Sequence, residues 1–215
     1  MNTEKMEVVR TPILKRIFDI IGSIIIIVAL SPVMLAILLL YYLEQRLFPR
    51  ARGPLLYKEI RISQGKPFNF YKIRTFTCSA LERADGSGIV HTKNLESDFR
   101  NLTFMGMVLI QTYLDEFPQL FLVLLGKMSL VGPRPTNPEA YERGVAAGLR
   151  SKTILKAGLT GYFQTHKSVK FKLNQEQVDM EYATFCRNNS GLKVIIHDLK
   201  MLILTVLTLI RAEGL

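Results

Sequence analysis

The run IIGSIIIIVALSPVMLAILLLYYL, Ile20 to Leu43, holds 24 consecutive residues without a charge, and its reading decides the architecture. As a straight helix it would extend about 36 Å, at roughly 1.5 Å per residue, enough to cross a hydrocarbon core of about 30 Å. It is too long for the apolar part of a cleavable leader, and no small-residue cleavage site follows it. Two readings stand side by side. One is a single membrane span kinked at proline. The other is a re-entrant helix-break-helix hairpin, because Ser31 and Pro32 fall at the centre of the run. A proline there removes a backbone donor and crowds the preceding turn, leaving halves of about 18 Å, close to one leaflet. Lys15 and Arg16 precede the run, and Arg46, Arg50 and Arg52 follow it. A simple span should be basic mainly on its cytoplasmic side, and this one is basic at both ends.

Outward from that run, the chain has 215 residues with 48% hydrophobic composition and a net charge of +10. Its mean hydropathy is +0.19 and its pI about 9.7. This is room for one domain with a sizeable core, and it excludes a disordered polar tail. The positive balance asks for phosphates or anionic lipid as partners; nucleic acid fits poorly beside an attached apolar run. Cys78 and Cys186 lie far apart without metal-ligand spacing, which excludes a disulfide framework and a zinc finger and suits a reducing compartment. Three histidines make a His-rich metal site improbable. Ten apolar residues from Met201 to Ile210 are too few to span and read as an interfacial or core-packed helix; Phe117 to Leu125 has the same ambiguity.

Charge is unevenly placed. Residues 44–76 carry eight Lys/Arg and two Glu, whereas residues 77–116 carry three basic and six acidic side chains. Arg150 to Lys172 adds six basic residues and no acid. Headgroup binding explains part of this. It does not explain KPFNFYKIRTF, where Lys66, Lys72 and Arg74 interleave with Phe68, Phe70 and Ile73; that pattern reads as a strand with cations on one edge. The acidic stretch ends in Asp115-Glu116, followed by Phe117-Pro118-Gln119 and an apolar run. On structural grounds alone this is a capped helix start with proline in the first turn. Next comes Gly132-Pro133-Arg134-Pro135, a stiff loop that fixes a guanidinium suited to phosphate.

These segments together resemble the bacterial sugar transferases, the monotopic phosphoglycosyl transferases that act on polyprenol phosphate. The resemblance runs through KRIFDIIGSIIIIVALSPVMLAILLL (Lys15 to Leu40), GKPFNFYKIRTF (Gly65 to Phe76), LDEFPQLFLVLLGKMSLVGPRP (Leu114 to Pro135) and KAGLTGYFQ (Lys156 to Gln164). It implies a mixed α/β fold, with residues 1–45 as a re-entrant membrane anchor and 46–215 as a cytoplasmic catalytic domain with interfacial helices. It also implies transfer of sugar 1-phosphate from a UDP-sugar to undecaprenyl phosphate at the bacterial inner membrane, on its cytoplasmic face. Asp115 would be the nucleophile, forming an aspartyl phosphosugar and releasing UMP, and Glu116 would help hold Mg²⁺. Arg134, Lys72, Arg74, Arg61 and Gln119 would bind the donor and its phosphates. A homodimer and downstream glycosyltransferases are the partners expected by the same resemblance.

Four positions depart from the family pattern. Ile110 stands five residues before Asp115, where arginine is usual. Ser63 stands where glycine is common, and Ala157 and Tyr162 replace a proline and a tryptophan. Loss of the arginine gives a second reading, a catalytically weak homologue acting as a membrane-bound assembly partner. A peripheral lipid-binding protein without chemistry is a third, and it leaves the Gly132–Pro135 loop unexplained. The identity of the sugar is not written in any motif; Thr136 to Leu149 is the stretch expected to shape its pocket.

Overall fold

The computed structural model describes residues 7–85, 98–165 and 174–210. His91, His166 and the basic residues Lys167, Lys170 and Lys172 lie outside them. A 35-residue helix, α1 (Ile13–Leu47), comes first. The strands β1 (Leu56–Ser63) and β2 (Lys66–Ile73) follow, then α2 (Cys78–Asp85), α3 (Phe104–Thr112) and α4 (Gln119–Leu124). The rest of the described chain runs β3 (Ser129–Val131), α5 (Pro138–Ala146), α6 (Ser151–Ile154), β4 (Gly158–Thr160), α7 (Tyr162–Thr165), α8 (Gln175–Asn188) and α9 (Gly191–Ile210). The fold is mixed helix and strand, with two-stranded sheets β1-β2 and β3-β4.

The helix does not end at Ser31-Pro32, contrary to the expected break. Pro32 has no N–H to give the carbonyl four residues back, that of Val28. Ser31 Oγ donates to that same carbonyl at 2.8 Å, so the acceptor left by the proline is satisfied and the helix continues. Only 17% of its most apolar window is buried, which fits a membrane anchor. The cationic strand expected at KPFNFYKIRTF is present as β2, with Phe68, Phe70 and Ile73 buried. It is joined to β1 by Gln64-Gly65, both in the left-handed region (φ 50 and 69), as a two-residue hairpin turn requires.

Packing divides the chain into two units, both containing part of α1. The first comprises Met1–Ile25, Glu59–Phe70 and Gln119–Leu215. Here β3 and β4 pair in parallel, Ser129 opposite Gly158 and Val131 opposite Thr160. Lys15 and Arg16 are not headgroup-facing cations. Lys15 is 4% exposed and pairs with Asp19 at 2.7 Å and Asp198 at 2.6 Å. Arg16 donates to the carbonyls of Val123 and Leu124, at 2.6 and 2.7 Å, closing the C-terminus of α4. The outer face of α9 presents Leu192, Ile196, Leu199, Ile203, Val206 and Leu207, an amphipathic stripe of the interfacial kind.

The second unit comprises Ile26–Lys58 and Tyr71–Pro118. Met34, Ile37 and Tyr41, at helical spacing, pack with Ile73, Met105 and Leu109. Glu44 continues the stripe one turn on. Its carboxylate accepts from the backbone N–H of Phe104 (2.7 Å) and Met105 (3.0 Å), capping α3 beside the Thr103 side chain.

Candidate active site

In the second unit, β2 and the end of α3 bring three predicted residues together. Lys72 lies one residue before the end of β2. Its Nζ lies 2.9 Å from Glu116 Oε1 and 3.3 Å from Asp115 Oδ2. The carboxylates sit on a 3₁₀ turn, Leu114–Glu116, so Asp115 is inside this turn and not at the first position of α4. The chain enters the turn through Tyr113, which is left-handed (φ 57) and donates its N–H to Ile110 O at 3.3 Å. Such a conformation costs a non-glycine residue about 1 kcal/mol or more, and it aims the next two side chains at β2. Sequence reasoning missed both Tyr113 and Glu44. Nothing in the sequence marks the first, whereas the 3-4-3 spacing of Met34, Ile37, Tyr41 and Glu44 marks the second.

Arg74, two residues beyond Lys72, is employed otherwise. Its guanidinium is sealed in, with Nε donating to Pro54 O at 2.8 Å, Nη2 to Ala51 O at 2.7 Å and Nη1 to Phe76 O. It also lies over the Tyr41 ring, 5.8 Å from the centroid. Two of the three nitrogens serve the loop that leaves α1 and the third the segment after β2, a structural role in place of the expected phosphate contact. The reason is the strand's length: β2 ends at Ile73, so Arg74 no longer follows the pleat that Lys72 obeys.

The other predicted residues belong to the first unit. Arg61 pairs with Glu59 at 2.8 Å and lies over Phe70, 5.6 Å from the ring centroid. Gln119 is buried, and its Nε2 has no hydrogen-bond partner among the described residues. Arg134 is exposed on the loop after β3, between the buried Pro133 and Pro135. That loop is fixed by backbone: Gly132 N–H donates to Thr160 O at 2.8 Å and Gly158 N–H to Pro133 O at 2.9 Å. A Cβ on Gly132 would strike the Lys156 carbonyl, and one on Gly158 would strike Gly132, so only glycine fits either side of this crossing.

Two departures from the family pattern meet in the first unit. Ala157 has an N–H where proline has none, and that N–H donates to Ser63 Oγ at 3.0 Å, the oxygen glycine would lack. Among the described residues no group of three or more His, Cys, Asp or Glu could hold a metal by itself. The Asp115–Glu116 pair already draws one cation, the Lys72 ammonium, and two carboxylates suit an ion that keeps waters and takes its remaining ligands from phosphate.

A long, largely exposed apolar helix that fits a membrane anchor, together with a lysine-bridged carboxylate pair on a 3₁₀ turn, makes this a candidate membrane-associated protein with a candidate active site. The family model for bacterial sugar transferases matches residues 10–212, and the chain belongs to that family. It is 36% identical over 156 residues to the UDP-glucose:undecaprenyl-phosphate glucose-1-phosphate transferase of Klebsiella pneumoniae, covering 71% of this chain and 30% of that protein. It is 36% identical over 160 residues to the undecaprenyl-phosphate galactose phosphotransferase of Salmonella typhimurium, covering 70% and 32%. An uncharacterized sugar transferase of Bacillus subtilis is 31% identical over 210 residues, covering 94% and 90%. The match therefore spans about a third of the first two relatives and nearly all of the third.

Proposed function

We propose that the protein transfers sugar 1-phosphate from a UDP-sugar to undecaprenyl phosphate, starting a lipid-linked glycan. The observation that carries this reading is the Lys72–Asp115–Glu116 constellation in a chain of this family. An Asp115 oxygen attacks the phosphorus that bears the sugar, and the bond from that phosphorus to the UMP oxygen breaks. UMP leaves with the bonding pair, and the aspartyl phosphosugar remains. A phosphate oxygen of the polyprenol then attacks the same phosphorus, and the Asp115 carboxylate departs. Two carboxylates approaching a pyrophosphate repel it, and Lys72 offsets part of that repulsion where the two charges meet. Mg²⁺, held by Glu116 with Asp115 beside it, would supply further neutralisation of the phosphate oxygens. Arg134, projecting from its fixed loop, and Gln119, whose Nε2 has no partner among the described residues, would donate to the donor substrate's phosphates and nucleotide.

The same proposal seats residues 1–45 in one leaflet of the inner membrane, both ends on the cytoplasmic face, with 46–215 catalytic. Pro32 at the centre of the apolar run, a residue that favours a bend in a helix, supports this topology. The second reading, a weakly active assembly partner, draws on Ile110, which puts a half-buried apolar side chain where the family has arginine. UMP release from protein in nanodiscs, with Mg²⁺, undecaprenyl phosphate and a panel of UDP-sugars, tests both. UMP from one donor, lost in Asp115→Asn, supports transfer. Silence from folded, membrane-bound protein supports the assembly partner.

A further inference from the structure

In the first unit, α5, α6 and α8 line a cavity of about 180 Å³, which the mechanism above leaves unused. That is smaller than the roughly 300–1,000 Å³ of pockets for drug-sized ligands and suits one ring. Its lining is divided in chemistry: Val145 and Leu149 are apolar, Tyr141, Lys152 and Asp179 are polar, and Thr136 is among the other residues that line it. Lys152 Nζ and Asp179 Oδ2 are 3.0 Å apart, and the Asp179 side chain is only 8% exposed. Burial pushes the Asp179 carboxyl above its ordinary range, with Lys152 acting against that rise.

The pair is held in place by its neighbours. Glu176 beside it is fully occupied, accepting from the N–H of Arg150 (2.6 Å) and Ser151 (2.8 Å) and from Ser151 Oγ (2.6 Å). The Tyr141 hydroxyl shares a hydrogen bond with Thr153 Oγ1 at 3.1 Å. A buried ion pair contributes little stability compared with apolar packing of the same volume. Beside an apolar wall, it has the mixed character that a polyhydroxylated ring needs: hydroxyls to the charges, C–H face to the aliphatics. Thr136 follows Arg134 by two residues, a reach of at most about 7 Å along the chain. A pyranose bonded directly to a phosphate on Arg134 lies at that scale.

We propose that this cavity receives the sugar ring of the donor, with Lys152 and Asp179 reading its hydroxyls and Val145 and Leu149 setting the space allowed. This rests on the transfer reading only in placing the donor's phosphate at Arg134. The test is saturation-transfer NMR on the full chain in nanodiscs, with glucose 1-phosphate, galactose 1-phosphate and N-acetylglucosamine 1-phosphate as probes. Ring protons of at least one probe should receive saturation from the wild type and lose it in Val145→Trp, which fills the cavity from its half-exposed rim. Val145→Ala, which cannot overpack, should shift preference among the three by about tenfold toward the N-acetyl sugar. Absence of ring signals with the wild type, or signals indifferent to both variants, overturns the assignment. Asp115→Asn should leave the ring signals intact, so a failed transfer reaction and a failed sugar site give different results.

Discussion

Each unit contains one lysine held between two carboxylates, and the two triads differ in almost everything else. Lys15 with Asp19 and Asp198 is sealed, at 5%, 1% and 0% side-chain exposure. Lys72 with Asp115 and Glu116 is less enclosed, at 23%, 9% and 13%, with Asp115 the most buried of the three. The sealed triad is also braced by its neighbours. Ser129 Oγ accepts from Lys15 and donates to Asp19, Leu130 N–H donates to Asp19, and Tyr182 donates to Asp198 at 2.9 Å. Composition therefore does not distinguish a site from a fastening. A group that solvent and substrate can reach, on a turn held by a left-handed residue, is equipped for chemistry; one enclosed by hydroxyls and amides holds the start of α1 in place.

The contrast breaks most sharply at Asp115. Asp115→Asn should cut UMP release by about 10⁴-fold or more, while flotation with liposomes and the melting temperature stay at wild-type values. Lys15→Met acts in the opposite sense. It strands two buried carboxylates and should cost about 3–5 kcal/mol in denaturant unfolding. Lys72→Met comes next, lowering turnover by about 10²–10³-fold with a stability change within about 1 kcal/mol. If Lys72→Met unfolded the protein as Lys15→Met does, the two triads would be equivalent and the distinction wrong.

Two smaller effects sharpen the picture of the sealed unit. Ser63→Gly orphans the buried Ala157 N–H and should cost about 1–3 kcal/mol, and adding Ala157→Pro should recover most of it; a double-mutant cycle reads the coupling. The smallest effect is a pH slope. Burial, with help from Arg16 and Lys15, lowers the Lys156 pKa below its ordinary 10.5. Between that lowered value and 10.5 the unfolded chain binds more protons than the folded one, so stability rises with pH across that window. Lys156→Met should flatten the rise, seen as unfolding midpoints that no longer climb as the pH of alkaline buffers approaches 10.5.

Much of this was legible in the sequence, for physical reasons that also mark where legibility ends. Helix α1 announces itself by 24 uncharged residues, and β2 by its alternation. Asp115, Glu116 and Arg134 stand in dense local motifs. Lys72 and Arg74 look alike on the page because both are cations in one aromatic-rich run. Their separation depends on where β2 stops and on carbonyls at Ala51, Pro54 and Phe76, which every residue type offers equally. Lys15 read as a membrane flank because its second carboxylate, Asp198, is remote in sequence. At Pro32 the sequence marks a place for a bend but not that helical backbone carries on through it, because the satisfying group is the Ser31 hydroxyl, half of the dipeptide taken as the break.

The contact between Ser63 and Ala157 is also asymmetric in what it demands of each residue. Measured against the family's glycine and proline, a serine facing proline merely adds a hydroxyl, whereas an alanine facing glycine leaves a buried N–H with nothing to accept it. The dependence runs one way: Ser63 is compatible with either residue at 157, whereas Ala157 leans on the serine hydroxyl to keep its buried N–H satisfied.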